Sequence, residues 1–483
     1  MLSAVVLVPL AGAVLVALAG RGSAGLARVL ALASSLAAMA VTGVALAGMS
    51  GAQGLVERLP AGGEGATWWV LSLDGLAAPL VALTAFLGVI SILASWRIER
   101  SPAAHLALLL ALQAAVAGVF LAAHVLLFYV FWEAVLIPMY FLIGLWGHED
   151  RRHAAMKFFI YTFAGSALML VGLMMVAFSS ASLEFVPGFG LTAGGMADEM
   201  RATVFWLLAA GFLVKIPVMG LHTWLPDAHV EAPTAGSIML AGVLLKMGGY
   251  GMIRLAMPVA GEAFASAQPV LVALGIGGII YGALVALAQS DLKRLVAYSS
   301  VSHMGFVVLA LGVGTPLALG AAMLVMVSHG LVAGMLFLLV GLLYDRTHTR
   351  EMDRFGGLGR TLPGWATAFT FAALASLGLP GLSGFPGELV TVLETFGSIG
   401  WWAAVAAAGV VLAAAYNLVA VRRVNHGPVA QEWAGTSDLR AGEWAAVAPL
   451  AAGIVALGVW PALVVDAAGP VVRALAATIG GGS

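Results

Sequence analysis

Six residues that carry or can take up a charge stand near the middle of long apolar runs: Glu133, Lys215, Lys246, His303, His329 and Glu388. A charge at the centre of a bilayer costs about 2.5 kcal/mol or more, so such residues face a bundle interior or a water path. Taken singly, each has a plain structural reading. A buried histidine is most often a hydrogen-bonded core residue, and a lysine near a helix end reaches for the interface. Six such groups at similar depth, in the order Glu, Lys, Lys, His, His, Glu, point instead to a polar row lying across the membrane interior. Its chemistry suits proton hopping. Apolar surroundings weaken lysine as a base and carboxyl groups as acids, drawing both toward the range where imidazole titrates unaided. A carboxylate beside a lysine restores the charged form, so the separation of Glu133 from Lys215 can act as a switch.

Prolines adjoin two of these groups. Pro217 follows Lys215 by two residues and cannot complete the helical bond to residue 213. Pro380 and Pro386, among several glycines, precede Glu388. Broken helices persist in membranes where they are buried or line water, so both interruptions are expected to be functional breaks rather than packing kinks. The segment His222-Thr223-Trp224-Leu225-Pro226-Asp227-Ala228-His229 has residue types of a metal site. Its place at a span junction favours a structured turn and a proton entrance through His222, Asp227 and His229, with no metal. The chain has no cysteine, which excludes disulfides, thiolate chemistry and cysteine-held clusters. No cofactor site is expected here.

The elements that must position the row follow from composition. Of 483 residues, 62% are hydrophobic and only 9% charged, with a mean hydropathy of +1.04. A soluble chain would carry about 25% charged residues, so a water-soluble enzyme is excluded. The net charge of −1 gives no basic surface for nucleic acid. At roughly 20 residues per crossing, the apolar runs predict an all-α polytopic membrane protein of about fourteen helices. They fall at 2–20, 27–48, 76–95, 104–122, 124–145, 155–178, 202–222, 232–256, 268–288, 293–313, 316–344, 364–395, 400–425 and 443–463. The first run lacks a basic start and is followed at once by another, so it reads as a retained helix rather than a signal peptide. The connections 49–75 and 179–201 show no pattern of a folded soluble domain. The glycine pairs Gly248-Gly249 and Gly277-Gly278 lack phosphate-loop spacing and suggest close helix packing.

Lysine and arginine collect on the cytoplasmic side. With an even number of crossings and both termini outside, most of the 22 basic residues fall on the inner side, leaving Arg58, Arg201, Arg254 and Arg473 outside. Two stretches resemble each other: MKFFIYTFAGSALMLVGL from Met156 and LKRLVAYSSVSHMGFVVLAL from Leu292. Paired, interrupted spans in two halves are a mark of repeat-built transporters.

These residues carry a family resemblance. FYVFWEAVLIPMYFLIGLWG, LVKIPVMGLHTWLPDAHVEAPTAGSIMLAGVLLKMGGYGMIRL, ALAQSDLKRLVAYSSVSHMGFVVLAL and MVSHGLVAGMLFLLVGLLYDRTHTREM resemble the antiporter-like subunits of respiratory NADH:quinone oxidoreductase, complex I. The subunit M (mitochondrial chain 4) branch is the nearest in kind. The resemblance covers nearly the whole chain. It implies three N-terminal helices in 1–103, and two inverted five-helix repeats, helices 4–8 in 104–256 and 9–13 in 268–425. Helices 7 and 12 are then the broken ones, and helix 14 with a tail occupies 443–483. It also places the family's proton-carrying glutamate, lysines and histidines on Glu133, Lys215, Lys246, His303 and His329, with Glu388 at the terminal position. That last position is usually lysine in the sister subunits L and N and in Mrp-type antiporters, so glutamate favours subunit M. No long lateral helix like that of subunit L follows the last span.

The function so implied is a proton-translocating, non-redox subunit of a translocase in the bacterial cytoplasmic membrane. Flavin, iron–sulfur clusters and quinone would belong to partner subunits, with L and N as its neighbours. The alternatives are a subunit of an Mrp-type sodium/proton antiporter or of a membrane-bound hydrogenase-like complex, and a plain membrane scaffold.

Overall fold

In hydrocarbon every backbone amide and carbonyl must find a partner within its own segment, so long runs of Ala, Val and Leu become helices. The computed structural model describes residues 1–49, 54–60, 67–180, 182–186, 188–192 and 195–480. The rest of the two long connections and the last three residues of the tail lie outside the described residues. Helices α1 (Leu2–Ala19), α2 (Ala24–Ala47), α3 (Ala77–Ala94) and α4 (Pro102–Leu121) come first. Then come α5 (Val125–Ala134), α6 (Leu136–Trp146) and α7 (Arg151–Ser179). An interrupted helix follows as α8 (Asp198–Lys215) and α9 (Trp224–Glu231).

Residues 234–260 form one rod, in which α10 (Thr234–Met239), α11 (Leu245–Gly251) and α12 (Met257–Ala260) alternate with π turns at Leu240–Leu244 and Met252–Ala256. The second half holds α13 (Phe264–Leu287), α14 (Leu292–Val313), α15 (Pro316–Thr347) and the short α16 (Leu358–Thr361). A second interrupted helix, α17 (Pro363–Ser376) and α18 (Gly384–Ile399), is followed by α19 (Ala403–Asn425), α20 (Ala441–Val459) and α21 (Ala462–Ile479). Among the described residues twelve helical stretches are long and apolar enough to cross a membrane; 125–146 and 384–425 each join two helices, and 234–287 joins the rod to α13.

The exterior is apolar. Phe178 is 85% exposed and Trp401 82%, with Val14, Leu15, Val44, Val411 and Val459 also turned outward. In water such a surface would associate at once; against lipid tails it costs nothing. Arg354, Arg360, Arg422 and Arg423 gather at one face, hereafter the arginine-rich face. Trp401, Trp402 and Trp460 stand at helix ends on the other, as an interfacial aromatic belt requires. The centre belongs to α14 and α15, which are enclosed almost completely by other helices. Gly248 lets α11 approach α8: a Cβ there would lie 2.6 Å from the Phe212 carbonyl oxygen.

Four features depart from the sequence expectations. The connection 49–75 contains an antiparallel hairpin, β1 (Leu55–Leu59) and β2 (Trp69–Leu73), paired from Leu55↔Leu73 to Leu59↔Trp69. The Gly-rich composition between its strands hid the alternation. The chain carries a further helix past the last expected span, α21, which packs against α15 and α12; its Asp466 and Arg473 break the apolar run without breaking the helix.

Pro386 does not break a helix. It occupies the first turn of α18, where the missing amide has no helical partner to lose. Arg254, expected in an outside segment, is buried and paired with Asp74 at 2.5 Å, while its Nε donates to the Tyr250 hydroxyl at 3.2 Å. Asp74 in turn accepts from the amides of Leu76 and Ala77 at the start of α3.

Candidate functional site: a row of buried charges

Lys215 is the last residue of α8. The next segment, 216–223, is not regular helix, because Pro217 brings no amide and Gly220 takes φ +92°. The carbonyls freed by this break are used locally. Val218 donates to Leu213 at 3.4 Å, and the Trp224 indole donates to Val214 at 3.0 Å. A cation at a helix C-terminus faces the negative end of the peptide dipoles, so the break itself favours a charged Lys215. Its Nζ is 5.6 Å from the Trp132 ring centroid and 5.3 Å from that of Phe158. It has no hydrogen-bond partner among the described residues.

The carboxylate that acts on Lys215 is Glu133. Glu133 is half-buried, its Oε1 has no hydrogen-bond partner, and the Tyr129 phenol interacts with it. Sequence patterning gives no weight to Pro138, yet this proline cannot donate to Ala134, and the helix is divided at Val135, between α5 and α6. Three of the row's four carboxylate or lysine positions, Glu133, Lys215 and Glu388, therefore stand beside an interrupted helix.

Lys246, fully buried in α11 between the two π turns, donates to the Ala241 carbonyl and meets His329 Nδ1 at 2.7 Å. This contact ties the 234–260 rod to α15. His329 Nε2 has no partner among the described residues, and its ring centroid is 5.8 Å from that of His303. His303 on α14 completes the row: Nδ1 meets Glu388 Oε1 at 2.7 Å, and Nε2 lies 3.2 Å from Ser376 Oγ and 3.1 Å from the Tyr416 hydroxyl. Between His303, His329 and Glu388 lies a cavity of about 20 Å³, lined also by Ser299, Ser328 and Ser376. That is room for about one water, with polar partners to hold it.

The second break differs from the first in polarity. α17 ends at Ser376, Gly378 takes φ +80°, and α18 begins at Gly384, so Glu388 lies in the early turns of a new helix.

The six expected residues are thus not one continuous chain of contacts. Lys246, His329, His303 and Glu388 come together, and Glu133 and Lys215 act on each other through space. No hydrogen bond among the described residues joins Lys215 to Lys246. The entrance residues separate as well. Asp227 pairs with Lys157 at 2.6 Å, His222 lies against the rings of Tyr281 and Tyr298, and His229 stacks on Phe337 with centroids 4.5 Å apart. Among the described residues no three His, Cys, Asp or Glu side chains could share a metal ion.

His229 is fully buried, with neither ring nitrogen partnered among the described residues, and it feels the charges of both Lys293 and Lys246. Lys293 stands at the start of α14, where a charged residue is ordinary. It is buried and caps the end of α9 by donating to Val230 and Ala232 at 3.3 and 2.6 Å. Ser376, Tyr416 and Asn417 were not singled out either, being neutral; only the bonds they make to the row identify them.

Known proteins share this sequence pattern and this fold. Residues 122–414 match the family model described as NADH:quinone oxidoreductase/Mrp antiporter, TM. NADH-quinone oxidoreductase subunit M of Rhodobacter capsulatus is 41% identical over 98% of this chain and 96% of its own length. Its namesake from Pseudomonas aeruginosa is 44% identical over 82% and 80%. Among solved structures, a chain of respiratory complex I from Thermus thermophilus superposes with a TM-score of 0.91 at 33% identity, each chain covered completely. A chain of the Mrp complex from a Dietzia species shares the fold, with a TM-score of 0.86 at 20% identity over 99% and 97%. With the match spanning the whole row from Glu133 to Glu388, the chain belongs to the NADH:quinone oxidoreductase/Mrp antiporter transmembrane family.

Proposed function

We propose that this chain is the subunit M-type, proton-translocating membrane subunit of an NADH:quinone oxidoreductase, and that it moves protons without carrying electrons itself. One observation carries the reading: Lys246 and His329 at 2.7 Å, His303 and Glu388 at 2.7 Å, and a water-sized cavity between the two pairs. Four titratable groups on four different helices are brought to single-water spacing inside an apolar bundle. A structural scaffold would gain more from leucines at these positions, since buried ion pairs contribute little to stability.

Lys215 loads a proton under the control of Glu133, and Lys246 receives it and passes it to His329. His303 relays it to Glu388 through imidazole rotation or the intervening water. The second interrupted helix then delivers it outward. His229, acted on by both Lys293 and Lys246, supplies the row from the arginine-rich face together with Asp227 and His222. The two halves, 104–256 and 268–425, act as five-helix repeats of opposite orientation. Flavin, iron–sulfur clusters and quinone sit in partner subunits, with L and N as membrane neighbours. The chain lies in the bacterial cytoplasmic membrane, arginine-rich face inward and both termini outward.

The relatives support the oxidoreductase reading over an Mrp-type antiporter. Identity is 41–44% to proteins named subunit M, against 20% to the Mrp chain. The test is proton uptake by inverted vesicles holding the assembled complex, driven by NADH. Replacement of Lys246 or His329 by alanine should cut uptake per electron while the complex stays intact on a native gel. Unchanged uptake in both variants would overturn the proposal.

A further inference from the structure

A groove of about 580 Å³ opens between α17 and α19, lined by Arg360, Thr367, Thr370, Leu374, Asn425 and His426 among others. Its mouth carries Arg360 and His426, both exposed, at the arginine-rich face. At its floor Asn425 is only 6% exposed; its Nδ2 donates to Thr370 Oγ1 at 3.0 Å and to the Ala366 carbonyl at 3.2 Å. The Oδ1 of the same side chain is buried without a partner among the described residues. A buried amide oxygen in that condition calls for a water, and the groove beside it has room for many.

Eight residues nearer the membrane centre on the same helix, about 12 Å along the axis, Asn417 donates to Ser376 Oγ at 3.2 Å. Ser376 in turn meets His303, which holds Glu388. Between the two asparagines the facing surfaces are apolar: Leu374, half-buried on α17, and Val421, one turn from each asparagine on α19 and buried. Polar groups therefore flank a short dry section at both ends. An apolar constriction of this kind closes by excluding water and conducts when wetted.

We propose that the groove between α17 and α19 is a water-filled vestibule on the arginine-rich face, connected to His303 and Glu388 through a dewetting gate formed by Leu374 and Val421. It gives the second half of the molecule its own access to that face, independent of the Lys215 side. Its use in pumping rests on Glu388 being a proton carrier; its existence as an aqueous passage does not. Wetting of the gate would place three or four waters between Asn425 and Asn417, by a rough allowance of ~3 Å per hydrogen-bonded step.

Because the chain has no cysteine, a single introduced cysteine can be read by the mass of this subunit within the whole complex. Thr370→Cys should react with a membrane-impermeant thiol reagent from the same side of the vesicle as the control Arg360→Cys. Reaction only with a lipid-soluble maleimide would mean a lipid-filled groove and would overturn the vestibule.

For the gate, Leu374→Ser should raise passive proton leak several-fold in vesicles given no NADH, and Val421→Phe should slow NADH-driven uptake. Leu374→Thr serves as a second variant if the serine form assembles poorly on a native gel. Unaltered leak in an assembled Leu374 variant overturns the gate. Labelling and leak are both measured without turnover, so a failure of the pumping role would appear separately, as normal uptake in Glu388→Gln.

Discussion

The two charged stations at the interrupted helices, Lys215 and Glu388, are built on opposite plans. Lys215 closes a helix, at the end where the local dipoles favour a cation, whereas Glu388 lies just past the first turn of one and is held by a hydrogen bond instead. The lysine has aromatic rings around it and no hydrogen-bond partner, and its counter-charge at Glu133 acts across space. The glutamate is hydrogen-bonded at 2.7 Å to a histidine that is itself held by Ser376 and Tyr416. The first station can change its proton affinity when one charge moves. The second is fixed in place and changes state by passing a proton along bonds already made. Coupling between the halves therefore depends on Lys246, which contacts the second group directly and the first not at all.

The largest effect is expected where no neighbour can substitute. Lys215→Ala should reduce proton uptake by about 100-fold, the low end of what a positioned proton-transfer group contributes, with the complex intact on a native gel. Uptake at the wild-type rate would erase the distinction between the stations.

Glu388→Gln comes next. It keeps a bond to His303 but cannot carry a proton, and uptake should fall about tenfold, or about 1.4 kcal/mol on the barrier. Glu388→Lys should recover only part of this, because a longer cationic side chain cannot reproduce the carboxylate's 2.7 Å contact with His303. Full recovery by lysine would show that the sign of the charge is irrelevant and that the relay alone counts. The readout for both is vesicle uptake normalised to NADH oxidation.

Glu133 separates charge from shape. Glu133→Gln should slow uptake about as much as Glu133→Ala, and Glu133→Asp should slow it less. Equal activity of Gln and wild type would make this carboxylate a packing group and leave the lysine without its switch. The smallest effect belongs to Pro386→Ala, expected within about 0.5 kcal/mol of wild type in stability and normal in uptake, since the break at 377–383 does not use this proline. A strong loss would mean that the rigidity of the first turn of α18 positions Glu388.

The sequence made some parts of this site visible and concealed others for physical reasons. A lysine or glutamate in a run of Ala, Val and Leu is conspicuous because lipid tolerates it so poorly, and this exposed Lys215, Lys246 and Glu388. The break after Lys215 could be read from Pro217 because the helix has no other way to continue. Pro386 misled, since a proline in a first turn and one in a break look alike until the helix start is known. Asp74 and Arg254 lie near the ends of apolar segments, where unpaired charges are ordinary, and they are 180 residues apart in sequence; only the fold unites them. Ser376, Tyr416 and Asn417 are too common in membrane helices to attract notice. The hairpin at 55–73 was hidden by the short, glycine-rich segment that joins its strands.

The π turns on either side of Lys246 bear on length as well as on position. A π turn spends one residue more than an α turn on the same rotation. The rod from 234 to 260 therefore holds two residues beyond what its direction requires. Deleting one residue within Leu240–Leu244 should tighten that turn to an ordinary one and leave Lys246 facing His329. Deleting one at Met247 or Gly248 should swing everything beyond it by about 100°, turning Arg254 away from Asp74. Among relatives of this chain, single-residue differences in length should therefore gather at these two turns and be rare between them.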